Sequence, residues 1–201
     1  MDGVCLDEDN AERRSGARLI LRAAQESDVA ALVALADNSR IAQNLATMPY
    51  PYGPADARAW IRRGAALGAG EAAFVIQLND RAQRVIGCAG YGVLDHQEPD
   101  IGYWIGEPFW GRGYATEAAH LVVDHAFMIA GLRRLRASCR VPNRPSRRVL
   151  EKCGFQFCGD GMLYSRYHNA AVPVHEFRLD RKTWVSLKAW GAADMLREGA
   201  A

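Results

Sequence analysis

The residues with most to offer a ligand are Gly111 and Gly113, which stand just before an apolar-periodic run opening at Tyr114. Two glycines in three residues remove side chains where a strand turns into a helix. Several backbone N–H groups can then point outward together at the positive end of a helix dipole, which makes an anion site. A nest of this kind suits a pyrophosphate. Spacing separates it from two common glycine signatures: G-x-x-x-x-G-K-[ST] is absent, and Thr116 stands where G-x-G-x-x-G needs its third glycine.

Other reactive residue types are less organised. The five cysteines (Cys5, Cys88, Cys139, Cys153, Cys158) are odd in number and scattered, so they read as idle or core thiols. No histidine is placed by sequence to activate Cys139 or Cys153. Glu117, His120 and Asp124 share one stripe of a helix and read as its solvated face, with no metal expected. Seven arginines between 133 and 148 make that stretch basic, but no aromatic residue interleaves them, which argues against nucleic-acid binding. Thr47 to Pro54 holds three prolines with Tyr50 and Tyr52, a surface loop whose aromatics can shape a ligand pocket.

Bulk composition narrows the class. A chain of 201 residues with 49% hydrophobic and 24% charged residues fits one globular domain, and a net charge of +2 argues for no particular partner. The most apolar stretch, Leu121 to Leu132, is broken by Asp124, His125 and Gly131, so no membrane span is expected. Met1 is followed by Asp2, Asp7, Glu8 and Asp9, the wrong charge for a secretory signal, and the expected location is cytoplasmic.

The elements that must position these residues follow from periodicity. Residues 1–17 are expected to be a flexible tail, 18–180 a single domain and 181–201 a helical tail. Arg18 to Arg22 reads as a strand and Glu26 to Ala36 as a capped helix; Asp56 to Leu67 reads as a second helix. Ala72 to Leu78, Val85 to Leu94 and Asp100 to Ile105 read as an antiparallel meander. A long helix, Tyr114 to Ala130, then leads to a strand at Leu135 to Arg140, which implies a parallel crossover. A short helix at Pro145 to Cys153, strands at Phe155 to Cys158 and Val172 to Leu179, and a helix at Thr183 to Arg197 complete the chain.

Three local motifs in this order carry a resemblance. They are Asp100-Ile101-Gly102-Tyr103-Trp104-Ile105, then Trp110-Gly111-Arg112-Gly113-Tyr114-Ala115-Thr116-Glu117-Ala118, and the run from Asn143 to Phe155. Together they resemble the GNAT superfamily of acyl-CoA-dependent N-acetyltransferases. The branch they resemble most is that of the RimJ/RimL-like enzymes, which acetylate the N-termini of ribosomal proteins. The resemblance runs from about Arg18 to Asp180. Trp110 departs from its pattern, standing where [Gln/Arg]-x-x-Gly-x-[Gly/Ala] has Gln or Arg.

The resemblance implies an α/β (α+β) fold. It would hold a mixed, mostly antiparallel twisted sheet of six or seven strands, about four helices, and splayed strands at the acyl-CoA site. It implies acetyl-CoA as cosubstrate without a metal, its pyrophosphate on the N–H groups of Gly111, Arg112, Gly113, Tyr114, Ala115 and Thr116. The pantetheine arm would run beside Trp104 and Ile105, with Asn143 and Ser146 orienting it and Arg112, Arg147 and Arg148 facing phosphates. Ser146 is the implied donor to the leaving sulfur, because Leu150 occupies the position where many relatives carry a catalytic tyrosine. Asp100, then Glu107, are the implied bases acting through water, and Tyr50 and Tyr52 the acceptor-side residues. The activity implied is direct acetyl transfer in a ternary complex to a protein or peptide N-terminal amine, by a monomer or homodimer. The alternatives are a small amine acceptor, aminoglycoside- or polyamine-like, and a non-catalytic acyl-CoA-binding module.

Overall fold

The structure, a computed structural model, describes residues 14–93 and 98–198. Its frame is an eight-stranded sheet in the order β1-β2-β3-β4-β5-β6-β8-β7. β1 (Arg14–Ser15), β2 (Leu19–Arg22), β3 (Ala72–Leu78), β4 (Val85–Gly92) and β5 (Asp100–Ile105) pair antiparallel in turn. β6 (Arg134–Arg140) is parallel to β5 and antiparallel to β8 (Ala170–Asp180), which pairs with the edge strand β7 (Gln156–Ser165). This is the mixed, mostly antiparallel sheet expected, with one short ribbon added at its edge.

Helices cover both faces. α4 (Tyr114–Met128), α5 (Arg144–Lys152) and α6 (Arg181–Glu198) lie on one, and α1 (Val29–Ala36), α2 (Ser39–Ala42) and α3 (Pro54–Ala65) on the other. Alternation along the central strands supplies both cores. Phe74, Ile76 and Leu78 of β3 join Leu19, Leu21 and Ile86 beneath α4, while Val75 meets Cys88, Leu32 and Ile41 beneath α1 and α2. α4 sets Ala118, Ala119, Val122, Ala126 and Phe127 against the sheet, all fully enclosed. Its small residues allow close approach, and truncating Phe127 to Ala there would cost about 3–5 kcal/mol.

Four expectations change. The tail predicted over 1–17 lies outside the described residues up to 13, but Arg14 and Ser15 pair with Leu21 and Ile20. β7 runs on from Cys158 through Gly159, Asp160 and Gly161 to Ser165, because a register shift between Phe157 and Gly159 absorbs the irregularity and β8 supplies the ladder. The second meander strand ends at Gly92, and Leu94, its predicted end, lies outside the described residues. The helical stripe read as solvated is exposed at His120, but its two carboxylates dock other elements. Glu117 accepts from Arg18 N and Nε, both at 2.8 Å, and Asp124 accepts from Trp184 Nε1 at 2.9 Å and Lys188 Nζ at 2.6 Å. Among the described residues no group of three potential metal ligands gathers, and no helix is long and apolar enough to cross a membrane.

Candidate active site

β5 and β6 meet at one register pair, Asp100 with Arg136, braced by a bond from Arg136 N to the Pro99 carbonyl at 2.9 Å. Beyond it the two parallel strands diverge, and a cleft of about 750 Å³ opens between them. Strand alternation gives the cleft two sides. Ile101 and Ile105 of β5 and Ala137 and Cys139 of β6 belong to the core beneath α4, with Tyr103 packed against it. Trp104 of β5 packs against the core beneath α1.

At one lip of the cleft, β5 passes into α4 through Gly111 and Gly113, which adopt φ of +74° and +76°. That left-handed conformation is strained for any residue with a Cβ. Side chains then fix the turn from behind. The Trp110 indole donates to the Ile105 carbonyl at 2.6 Å, so the tryptophan that departs from the family pattern braces the turn. Arg18 Nη1 donates to the Arg112 carbonyl at 2.9 Å, and Glu117 holds Arg18 in place. Because C=O and N–H of one trans peptide point opposite ways, drawing the Arg112 carbonyl toward Arg18 turns the Gly113 N–H away from it. The N–H groups of residues 111–116 find no backbone acceptor among the described residues. An added Cβ at Gly111 would meet nothing within 4 Å, so the nest is open.

The other lip is the start of α5. Asn143 caps it by accepting from Ser146 N at 3.2 Å, with Pro145 in the first turn. Ser146 faces Tyr103 across the cleft, and the two hydroxyls lie 3.0 Å apart. Burial pushes the Tyr103 phenol well above its ordinary range, opposed in part by the Ser146 hydrogen bond. It therefore stays protonated at any physiological pH and remains a hydrogen-bond donor toward Ser146. Burial also raises the Cys139 thiol to about 11 and the Cys153 thiol to about 12, which denies both a thiolate form.

An open backbone nest, a splayed strand edge and paired hydroxyls now stand in one cleft, and the profile of the acetyltransferase (GNAT) domain matches residues 18–156. The chain belongs to the GNAT acetyltransferase family. It is 31% identical over 104 residues to the uncharacterized N-acetyltransferase p20 of Bacillus licheniformis, a match covering 50% of this chain and 57% of p20. The chain thus spans somewhat over half the length of that curated relative. Its fold is similar to that of RimJ from Mycobacterium smegmatis, solved in complex with CoA-disulfide, with a TM-score of 0.72, 24% identity and coverage of 86% of this chain and 89% of RimJ. It is similar also to a GNAT acetyltransferase from Bacillus anthracis, with a TM-score of 0.72, 20% identity and coverage of 85% and 99%.

The GNAT cleft gathers most of the residues singled out from the sequence. Trp104, Ile105, Gly111 to Thr116, Asn143 and Ser146 all line it. Arg147 does not: it lies on the outer face of α5, ion-paired with Glu151 at 2.8 Å, while Arg148 lines the cleft. The 3.6-residue period explains the difference, since 147 and 151 share a stripe pointing away. Asp100 sits at the closed end of the splay, outside the lining. Glu107 is taken up by Arg40 and by Asn38 Nδ2 at 2.7 Å, also outside it. Tyr52 is 7% exposed within the α1-side core, its phenol raised to about 12 by burial, and Tyr50 packs on Tyr167 with ring centroids 5.6 Å apart. Neither tyrosine lines the cleft. Sequence reasoning missed Tyr103, although the alternation Ile101, Tyr103, Ile105 in β5 is the signal that could have found it. It missed Arg40 and Arg140 as well, because α2 was not predicted and Arg140 reads as one of many surface arginines.

Proposed function

We propose that this GNAT domain transfers an acetyl group from acetyl-CoA to a primary amine by direct attack in a ternary complex, the acceptor being a protein or peptide N-terminal α-amine. The observation that carries the proposal is the presence, in one cleft, of the open nest at 111–116 and the Tyr103–Ser146 hydroxyl pair. The nest would receive the diphosphate, Arg112 and Arg148 its neighbouring charge, and the unpaired edge of β5 near Trp104 and Ile105 the amides of the pantetheine arm. In the reaction the neutral amine forms a C–N bond at the thioester carbonyl and the C–S bond breaks. The departing sulfur takes its proton from the Ser146 hydroxyl, which takes one from Tyr103, and the surplus proton on nitrogen returns through water to Tyr103.

Two features support an α-amine and a direct route. The described lining residues include no Asp, Glu or His. At pH 7 an α-amine of pKa about 8 is neutral in about a tenth of molecules, a lysine near 10.4 in well under a hundredth. A wall without a carboxylate or imidazole base therefore favours the α-amine. The raised thiols of Cys139 and Cys153 speak against an acyl-enzyme.

The test is acetyl-CoA-dependent thiol release across a panel of N-terminal peptides and small amines. Peptides are expected to be turned over, and Tyr103→Phe to lower kcat at least tenfold while the acetyl-CoA KM moves less than about threefold. Turnover of small amines alone would reassign the acceptor. Tight acetyl-CoA binding with no acceptor-dependent thiol release would make the domain a binding module and end the proposal.

A further inference from the structure

The cleft carries an unbalanced charge. Its described lining includes Arg40, Arg112, Arg140, Arg148 and Lys152, against no carboxylate. Four of these have an evident use. Arg40 is neutralised by Glu107, and the exposed Arg112, Arg148 and Lys152 stand on the nest and on α5, where the cosubstrate's phosphates would lie.

Arg140 is different. In β6, Leu135, Ala137 and Cys139 point into the core beneath α4, so alternation turns Arg136, Ser138 and Arg140 to the opposite side, the side of α2. Arg140 confirms that direction by donating from Nη1 to the Gln43 carbonyl at 2.9 Å. Arg136 has a counter-charge there, Glu176, at 3.4 Å across the β6–β8 ladder. Arg140 has Val174 opposite it, and no carboxylate pairs with it among the described residues. Its Nε–H is enclosed and finds no acceptor. A partly buried guanidinium with no counter-charge and an orphaned donor is costly, and a carboxylate in the cleft would supply the missing charge.

We infer that Arg140 anchors an anionic group of the acceptor. The acceptor class is then an amine with a carboxylate close by, such as a peptide whose second residue is Asp or Glu. That the occupant is the acceptor rests on the proposed acetyl transfer; that the site takes a carboxylate rests on Arg140 alone. The Arg140 side chain lies on the α2 side of the sheet, the face opposite α5, although its main chain leads into the α5 cap.

Calorimetric titration of the CoA-saturated protein with two C-terminally amidated tetrapeptides, Ser-Asp-Gly-Phe and Ser-Asn-Gly-Phe, tests this. The acidic peptide is expected to bind at least about tenfold more tightly, a difference typical of a charge-assisted bond. In Arg140→Met the preference should fall to within about twofold, and in Arg140→Lys at least about threefold should survive. Comparing two peptides on the same protein cancels any loss of folded material. No acidic preference in the wild-type protein, or a preference that survives in Arg140→Met, overturns the assignment. The two readings fail separately: equal thiol release with both peptides removes the anchor and leaves the transfer, whereas an acidic binding preference without thiol release removes the transfer and leaves the anchor.

Discussion

Replacing Gly111 by alanine isolates what the nest contributes. Gly111 holds φ at +74°, and an added Cβ would meet nothing within 4 Å, so backbone strain is the whole perturbation. An L-residue in the left-handed region costs about 1–2 kcal/mol. In the free protein Ala at 111 can relax toward negative φ, turning its peptide out of the array. Binding a diphosphate must then restore the strained geometry, and 1–2 kcal/mol corresponds to acetyl-CoA dissociation about 5- to 30-fold weaker. Gly131 supplies the control. It has φ of +66°, equally open space around an added Cβ, and a position beyond the C-terminal end of α4 that does not line the cleft. Gly131→Ala should show the same strain as lost stability, a fall in Tm of about 2–8 °C for a domain of this size, with acetyl-CoA affinity unchanged. Calorimetry with acetyl-CoA and thermal unfolding of both variants decide the matter. If Gly111→Ala binds acetyl-CoA within twofold of wild type, or Gly131→Ala loses as much affinity, the main chain at 111–116 is not what grips the diphosphate.

Two further outcomes follow from neighbouring side chains. Arg148→Ala should raise the acetyl-CoA KM by about three- to tenfold at low salt, an effect that shrinks as salt screens it, while Arg147→Ala should stay within about twofold; steady-state kinetics at two ionic strengths would show an equal effect of both if the stripe argument were wrong. Burial pushes the Asp28 carboxyl up, but hydrogen bonds from Arg22 and Gln25 N hold it below the usual carboxylate range, so its contribution to stability is present above the unfolded value near 3.9 and is lost as pH falls through the folded one. Asp28→Asn should therefore cost about 3 kcal/mol near pH 7, with a gap from wild type in denaturant midpoints that narrows below about pH 4; a gap independent of pH would refute the linkage.

Much of the structure was legible because it depends on neighbours in sequence. The meander, the glycine turn and the crossover are written in local alternation and backbone freedom, and they appear where the sequence places them to within a residue or two at their ends. Boundaries failed where pairing outweighs composition. Gly159, Asp160 and Gly161 look like a turn until β8 lies alongside, and α2 is too short to leave a period.

The family and the glycine turn at 111–113 were thus legible in the sequence alone, since each rests on short local motifs. Tertiary structure decided which polar groups share the cleft. It brought Tyr103 from β5 against Ser146 of α5, drew Glu107 away into a pair with Arg40, sank Tyr52 into a core and left Arg140 without a counter-charge among the described residues. Those outcomes depend on which side of a strand or helix meets which partner across the sheet, and a linear pattern gives the side but not the partner.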